Sequence, residues 1–162
     1  MANESSAHTL EDVMNSPAVR YIEPDRFTRK VFNPMVARLT GWGISFKGSR
    51  ILEVKGRSSG EIRTNPVNLL TVDGVRYLVA PRGETQWVRN LRAVGSGSLR
   101  LGRKVEPFHA HEMADADKTP ILRAYLKAWA WEVGKFFEGL DASSPAADLD
   151  AAASGFPVFV IG

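Results

Sequence analysis

Asn65-Pro66-Val67-Asn68-Leu69-Leu70-Thr71-Val72-Asp73-Gly74-Val75-Arg76-Tyr77-Leu78-Val79-Ala80 decides the fold. It reads as two strand-like runs, Asn65 to Val72 and Val75 to Ala80, joined by Asp73-Gly74, a dipeptide suited to the positive φ angles of a tight hairpin. Working outward, Arg50 to Lys55 precedes the pair as a further short strand. Ser98 to Leu101 and Lys104 to Met113 follow, joined by Gly102-Arg103, and Phe156 to Ile161 supplies a last strand that closes the sheet. Between the third and fourth runs the period changes to that of one helix, Thr85 to Ala93, with Thr85 as its cap and a stop near Gly95. An antiparallel meander interrupted by one helix predicts an α+β barrel rather than a doubly wound parallel sheet.

The flanks complete this reading. Asn33-Pro34 opens a short helix to Thr40, stopped by Gly41, with Met35, Val36 and Leu39 on its apolar side. Thr119-Pro120 opens the longest helix, whose Ile121, Leu122, Tyr125, Leu126, Trp129, Val133, Phe136 and Phe137 recur at helical spacing and read as core. Trp129 and Trp131 cannot share a helix face, so one faces the core and the other the surface. Asp141 to Ser154 reads as a loop or weak helix. Residues 1–29 form a polar arm with a short helix, and residues 30–162 a single domain.

Two loops carry the chemistry. Lys55-Gly56-Arg57-Ser58-Ser59-Gly60-Glu61-Ile62-Arg63-Thr64-Asn65 sets three cations around a Gly- and Ser-rich turn. Glycines let backbone come close to a ligand, hydroxyls and amides donate, and Arg forks suit phosphate, so the stretch reads as an anion cradle. Ala80-Pro81-Arg82-Gly83-Glu84-Thr85-Gln86-Trp87-Val88-Arg89-Asn90-Leu91-Arg92 is its partner, and its amides are expected to present a helix N-terminus to an anion. Trp87 and Asn90, at i and i+3, share one helix face. His109 and His111 alternate on one strand face and read as a solvent-facing pair, while Arg100, Arg103 and Lys104 read as solvated cations flanking a turn.

Composition narrows the ligand. The 162 residues are 44% hydrophobic, enough for one domain with a sizeable core. Between Lys47 and Lys104 there are 12 Lys or Arg against 4 Asp or Glu, a balance of +8, which leaves −5 for the rest of a chain of net charge +3. A basic centre between acidic ends points to an anionic small molecule and away from a nucleic-acid surface. The absence of cysteine excludes disulfides and thiolate chemistry, and three scattered histidines (His8, His109, His111) argue against a metal. With no long apolar run and no export signal at Met1-Ala2-Asn3-Glu4, the expectation is a soluble cytoplasmic protein, with peripheral membrane contact of the arm left open.

Gly56-Arg57-Ser58-Ser59-Gly60, then Arg63-Thr64-Asn65-Pro66, two strands ending Leu78-Val79-Ala80, and Gln86-Trp87-Val88-Arg89-Asn90-Leu91-Arg92-Ala93 together resemble the deazaflavin-dependent nitroreductase family of actinobacteria. The likeness covers about residues 51–113 and extends weakly to the final strand. It implies the split β-barrel of antiparallel strands with flanking helices, the FMN-binding, flavin-reductase-like fold. It also implies coenzyme F420, a deazaflavin on a phosphate-lactyl-oligoglutamate tail, used in reduced form as hydride donor. By this resemblance Lys55, Arg57, Ser58, Ser59, Gly60 and Arg63 hold phosphate and tail, with Arg82 and Gly83 assisting. Thr64, Asn65, Pro66, Val67, Ala80, Pro81, Gln86, Trp87, Asn90 and Leu91 lie along the ring. Ser58 stands where many members carry a second cation, which moves part of the tail grip to Lys55. The expected activity is hydride transfer to an electron-poor conjugated small molecule, a quinone, enone or nitro compound, by a monomer or weak homodimer. Tyr125, Thr64 and water are the proton-donor candidates. The alternatives are an FMN-dependent split-barrel oxidoreductase and a non-catalytic carrier of deazaflavin or lipid.

Overall fold

A computed structural model describes residues 20–21 and 48–162. The rest of the 1–29 arm and the Pro34 to Thr40 helix lie outside the described residues. Six antiparallel strands, β1 (Ser49–Lys55), β2 (Ile62–Val72), β3 (Val75–Val79), β4 (Ser96–Leu101), β5 (Lys104–Glu112) and β6 (Val158–Ile161), close into a barrel in the order β1-β2-β3-β6-β5-β4. The Asp73-Gly74 hairpin forms as expected, both residues taking positive φ. Among the described residues three α-helices flank the barrel: α1 (Gln86–Val94), α2 (Thr119–Val133) and α3 (Ala146–Ala152). The fold is therefore α+β, as the order of runs predicts.

Strand alternation sorts the apolar side chains into two cores. Leu52, Val54, Leu78, Leu99, Phe108, Phe159 and Ile161 fill one, together with Trp87, Val88 and Leu91 from α1. Their neighbours on the opposite strand face, Leu70, Val79 and Val158, pack against Leu122, Tyr125, Leu126 and Trp129 of α2. The apolar stripe of α2 continues through a 3-10 turn, Gly134–Phe137, which places Phe137 flat against Phe156 at 4.2 Å between ring centroids. Trp129 is 4% exposed and Trp131 56%, the division their spacing predicts.

Three of the differences from the sequence reading have a clear physical reason. β2 begins at Ile62 because its pairing with β1 runs on through Val54↔Arg63 to Lys55↔Ile62, past where the apolar pattern fades. Phe156 precedes β6 and serves the α2 core at the end of a 3-10 turn, Ala153–Gly155. The stretch left open as loop or weak helix contains α3, which buries Leu149.

Candidate functional site

The β1–β2 loop and the start of α1 come together through one side chain. The Arg57 amide donates to Asn90 Oδ1 at 3.2 Å, and its Nη1 donates to the same oxygen at 2.8 Å and to Gln86 Oε1 at 3.0 Å. Asn90 is 5% exposed, so this acceptor fixes the loop from below. Within the loop, the Gly56 amide donates to Glu61 O, the Gly60 amide to Gly56 O, and the Glu61 amide to Ser59 Oγ. Gly60 needs its positive φ of 71°. Arg63 follows on β2, where its Nε lies 3.8 Å from the position a Gly56 Cβ would take.

The charges on this loop are poorly compensated. Arg57 is held by two neutral amide oxygens, and its Nε and Nη2 make no hydrogen bond among the described residues. Arg63 faces Glu61 at 3.6 Å with its side chain 57% exposed, a pair worth little in water. Lys55 is exposed and has no ion pair among the described residues, and α1 has no acidic residue in its first turn. A donor set of this kind fits a phosphodiester and carboxylates.

The second loop departs from expectation. Three of its amides are already engaged: Gly83 donates to Ala80 O, Glu84 to Arg20 O and Thr85 to Gly83 O. Thr85 occupies the N-cap position, but its buried hydroxyl makes no capping bond and has no hydrogen-bond partner among the described residues; its carbonyl receives the Arg89 amide instead. Arg82 lies over the Phe136 ring at 4.9 Å, drawn to the end of α2 by a cation–π contact. The Pro81–Gly83 segment therefore does not form the open anion nest its sequence suggests.

Arg20, which sequence reading missed, explains the difference. Tyr21 bridges to Gly83, while Arg20 Nη1 donates to Pro81 O at 2.8 Å and to Gly155 O at 3.3 Å and Nη2 to Phe136 O. Its guanidinium stacks on Phe156 at 4.3 Å. Burial holds its pKa below the usual arginine value, against the pull of the Glu138 carboxylate. Two glycines make room for this one residue: a Cβ on Gly83 would stand 2.1 Å from Arg20 O, and one on Gly155 would stand 2.9 Å from Arg20 Cδ.

Other expected residues divide by depth. Thr64 is exposed and Asn65, Pro66 and Val67 are half-buried along β2, beside the loop. Ala80 and Leu91 are fully buried, and Trp87, 8% exposed, packs on Phe159 with centroids 6.1 Å apart. These three support the site from the core. Tyr125 is not part of it. It is 1% exposed in the α2 core, tilted against Phe137, and desolvation raises the pKa of its hydroxyl beside Asn68. Arg100 and Lys104 are not simply solvated either, since Arg100 Nε meets Glu53 at 2.6 Å and Lys104 Nζ meets Glu106 at 2.8 Å.

Comparison with known proteins gives this arrangement a family. The model of a family described as F420H(2)-dependent quinone reductase matches residues 28–135, two thirds of the sequence. The chain belongs to that family. It is an F420H2-dependent oxidoreductase, and coenzyme F420 is its cofactor, in place of the FMN alternative. A search of curated proteins found no match. Among solved structures, one described as a domain-swapped dimer is 17% identical, with TM-score 0.53, covering 86% of this chain and 100% of that one. A protein of unknown function from Agrobacterium tumefaciens is 15% identical, with TM-score 0.50, covering 90% of this chain and 58% of that one. An F420-H2 dependent reductase is 20% identical, with TM-score 0.49, covering 71% of this chain and 94% of that one. The first two likenesses concern the fold alone.

Proposed function

We propose that this oxidoreductase reduces a flat, conjugated acceptor of the quinone class, and that it holds F420 by the β1–β2 loop. The observation that supports this most is the seating of Arg57, whose position is fixed by Asn90 and Gln86 while no acidic group among the described residues pairs with it. Arg57, Arg63 and Lys55 then neutralise phosphate and tail, with the Ser58 and Ser59 hydroxyls and the Gly60 turn completing the loop. Asn65, Pro66 and Val67 on β2 and Gln86 on α1 border the ring.

The bound deazaflavin supplies a two-electron hydride; the protein supplies position. Asn90 and Gln86 orient the loop that carries Arg57. Trp87, Leu91 and Ala80 give the ring side a rigid apolar base. The proton for the reduced acceptor comes from water or from the exposed Thr64, since Tyr125 is enclosed in the α2 core. No helix among the described residues is long and apolar enough to cross a membrane. The enzyme acts in the cytoplasm as a monomer or weak homodimer, with peripheral membrane contact where its acceptor is lipophilic.

The test is a titration with oxidised F420 and with FMN, followed by steady-state oxidation of F420H2 with panels of quinones, enones and nitro compounds. Saturable F420 binding with the highest kcat/KM among quinones is expected. Tight F420 binding with no turnover on any acceptor would favour a carrier instead.

A further inference from the structure

Arg92, in the last turn of α1, takes no part in the seat of Arg57, yet all three of its guanidinium nitrogens are committed. Nε and Nη2 donate to the Glu112 carboxylate at 2.6 and 2.8 Å, and Nη1 and Nη2 donate to the Glu84 carboxylate, both at 2.8 Å. Glu84 belongs to the loop that leads into α1, and Glu112 is the last residue of β5. One side chain thus braces the helix against its own lead-in loop and against the barrel wall. A single exposed ion pair contributes little, but a guanidinium forked onto two carboxylates is geometrically specific.

The helical wheel gives this brace a consequence for the site. At about 100° per residue, Trp87, Val88 and Leu91 face the barrel core, Gln86 and Asn90 lie on one flank of that stripe, and Arg92 lies on the other. Both ends of α1 are held by backbone bonds: the Glu84 amide donates to Arg20 O before it, and the Ala110 amide donates to Gly95 O after it. Apolar contacts have no direction, so the core stripe resists lifting of the helix better than it resists a roll about the helix axis. The bonds to Arg57 are sensitive to that roll. An oxygen about 5 Å from the axis moves about 0.9 Å for a roll of about 10°, which takes the 2.8 Å contact between Arg57 Nη1 and Asn90 Oδ1 out of hydrogen-bond range.

We infer that Arg92 is a positioning residue for the cofactor site: braced between Glu84 and Glu112, it sets the roll of α1 and with it the place of the Asn90 and Gln86 oxygens that seat Arg57. Arg92 acts through that seat and touches no ligand. The inference rests on the reading that Arg57 meets the anionic end of F420.

Fluorescence titration with oxidised F420 of the wild type, Arg92→Lys, Arg57→Ala and the double variant tests it, together with kcat and the KM for F420H2. Lysine keeps the charge but cannot fork between two carboxylates. Arg92→Lys is expected to weaken F420 binding about five- to tenfold and to raise KM with kcat unchanged. In the Arg57→Ala background the same change should alter affinity by less than about twofold, because the roll then has no seat to disturb. Glu112→Gln, which leaves the Glu84 side of the brace in place, should repeat this pattern with a smaller loss, and it decides the matter alone where Arg92→Lys does not fold. An equal loss in both backgrounds would overturn the positioning role and make Arg92 a general support of the fold. Full affinity in Arg92→Lys beside weak binding in Arg57→Ala would also overturn it, with the reading of Arg57 left standing. Unchanged affinity in Arg57→Ala would overturn that reading and the inference together.

Discussion

Asn90 receives two hydrogen bonds from Arg57 on a single oxygen, one from the backbone amide and one from the guanidinium. The neutral acceptor is the telling choice, because it fixes the cation without cancelling it. Asn90→Asp keeps the acceptor and adds a negative charge. The variant should fold with a melting temperature at or above wild type yet bind F420 at least about tenfold more weakly, since a charge-assisted contact to the ligand is worth about 1.5–3 kcal/mol. Asn90→Leu should lose both, because it leaves the part-buried Arg57 amide and the Arg57 guanidinium without their shared acceptor. Calorimetry and cofactor titration on both variants separate the two effects, and undiminished F420 affinity in Asn90→Asp would contradict the role given to Arg57.

Arg57→Ala and Arg63→Ala should each weaken F420 binding by about ten- to a hundredfold. Turnover at saturating cofactor should change little if both residues act, as proposed, at the anionic end and leave the chemical step alone; the loss should appear in the Michaelis constant for F420H2. A kcat that collapses with unchanged affinity would place these arginines at the ring instead.

Arg20, Gly83 and Gly155 form a testable triangle. Gly83→Ala meets Arg20 O at 2.1 Å and forces a non-glycine residue to a φ of 83°, so it should cost more than about 1 kcal/mol and free the residue-20 segment for proteolysis. Gly155→Ala collides with Arg20 Cδ at 2.9 Å, a side-chain atom. Its cost should therefore disappear in an Arg20→Ala background. Additive losses in that double-mutant cycle, read by urea denaturation, would show that the glycine serves something other than Arg20.

Two carboxylates should bend the pH profile of stability in opposite directions. The hydrogen bond from Arg92 holds Glu84 below its ordinary value of 4.5, outweighing the effect of burial. Its contribution is complete above pH 4.5 and is lost as the pH falls through the depressed value. Burial instead raises Glu132, against the bond from Asn68 Nδ2 at 3.2 Å. Stability linked to Glu132 is complete below pH 4.5 and declines as the pH rises through the elevated value. Glu84→Gln should lower the melting temperature at pH 7 and flatten the acid limb, whereas Glu132→Gln should raise it at pH 7 and change little in acid. Parallel melting curves from pH 3 to pH 8 in both variants would refute the linkage.

What the sequence made legible follows from how local each signal is. Asp73-Gly74 and the stripe from Ile121 to Phe137 are patterns within one element, so the hairpin and α2 could be read directly. The β1–β2 loop with its weakly compensated cations was legible because those cations and its glycines are contiguous. The fate of Pro81–Gly83 was not, because it depends on Arg20, 61 positions from Pro81, whose side-chain hydrogen bonds among the described residues go to carbonyls, and a carbonyl has no residue-type signature. Tyr125 looked chemical by residue type, but its place in the helical stripe was the better guide to its burial. The Arg100 to Glu53 pair needed the β1–β4 register, which joins strands separated by a hairpin and a helix.

Val158–Ile161 lies between β3 and β5, with Val79 paired to Val158 on one side and Ala110 to Ile161 on the other. In time rather than in space, this makes the barrel a late assembly. β1, β2 and β3 can pair with neighbours in sequence, but β3 and β5 each keep an open edge until this distant segment arrives. Such closure pays a large loop entropy before any reward and is intrinsically slow. The hazard for this protein therefore falls in the interval before closure, when two unpaired strand edges can recruit another chain and aggregate.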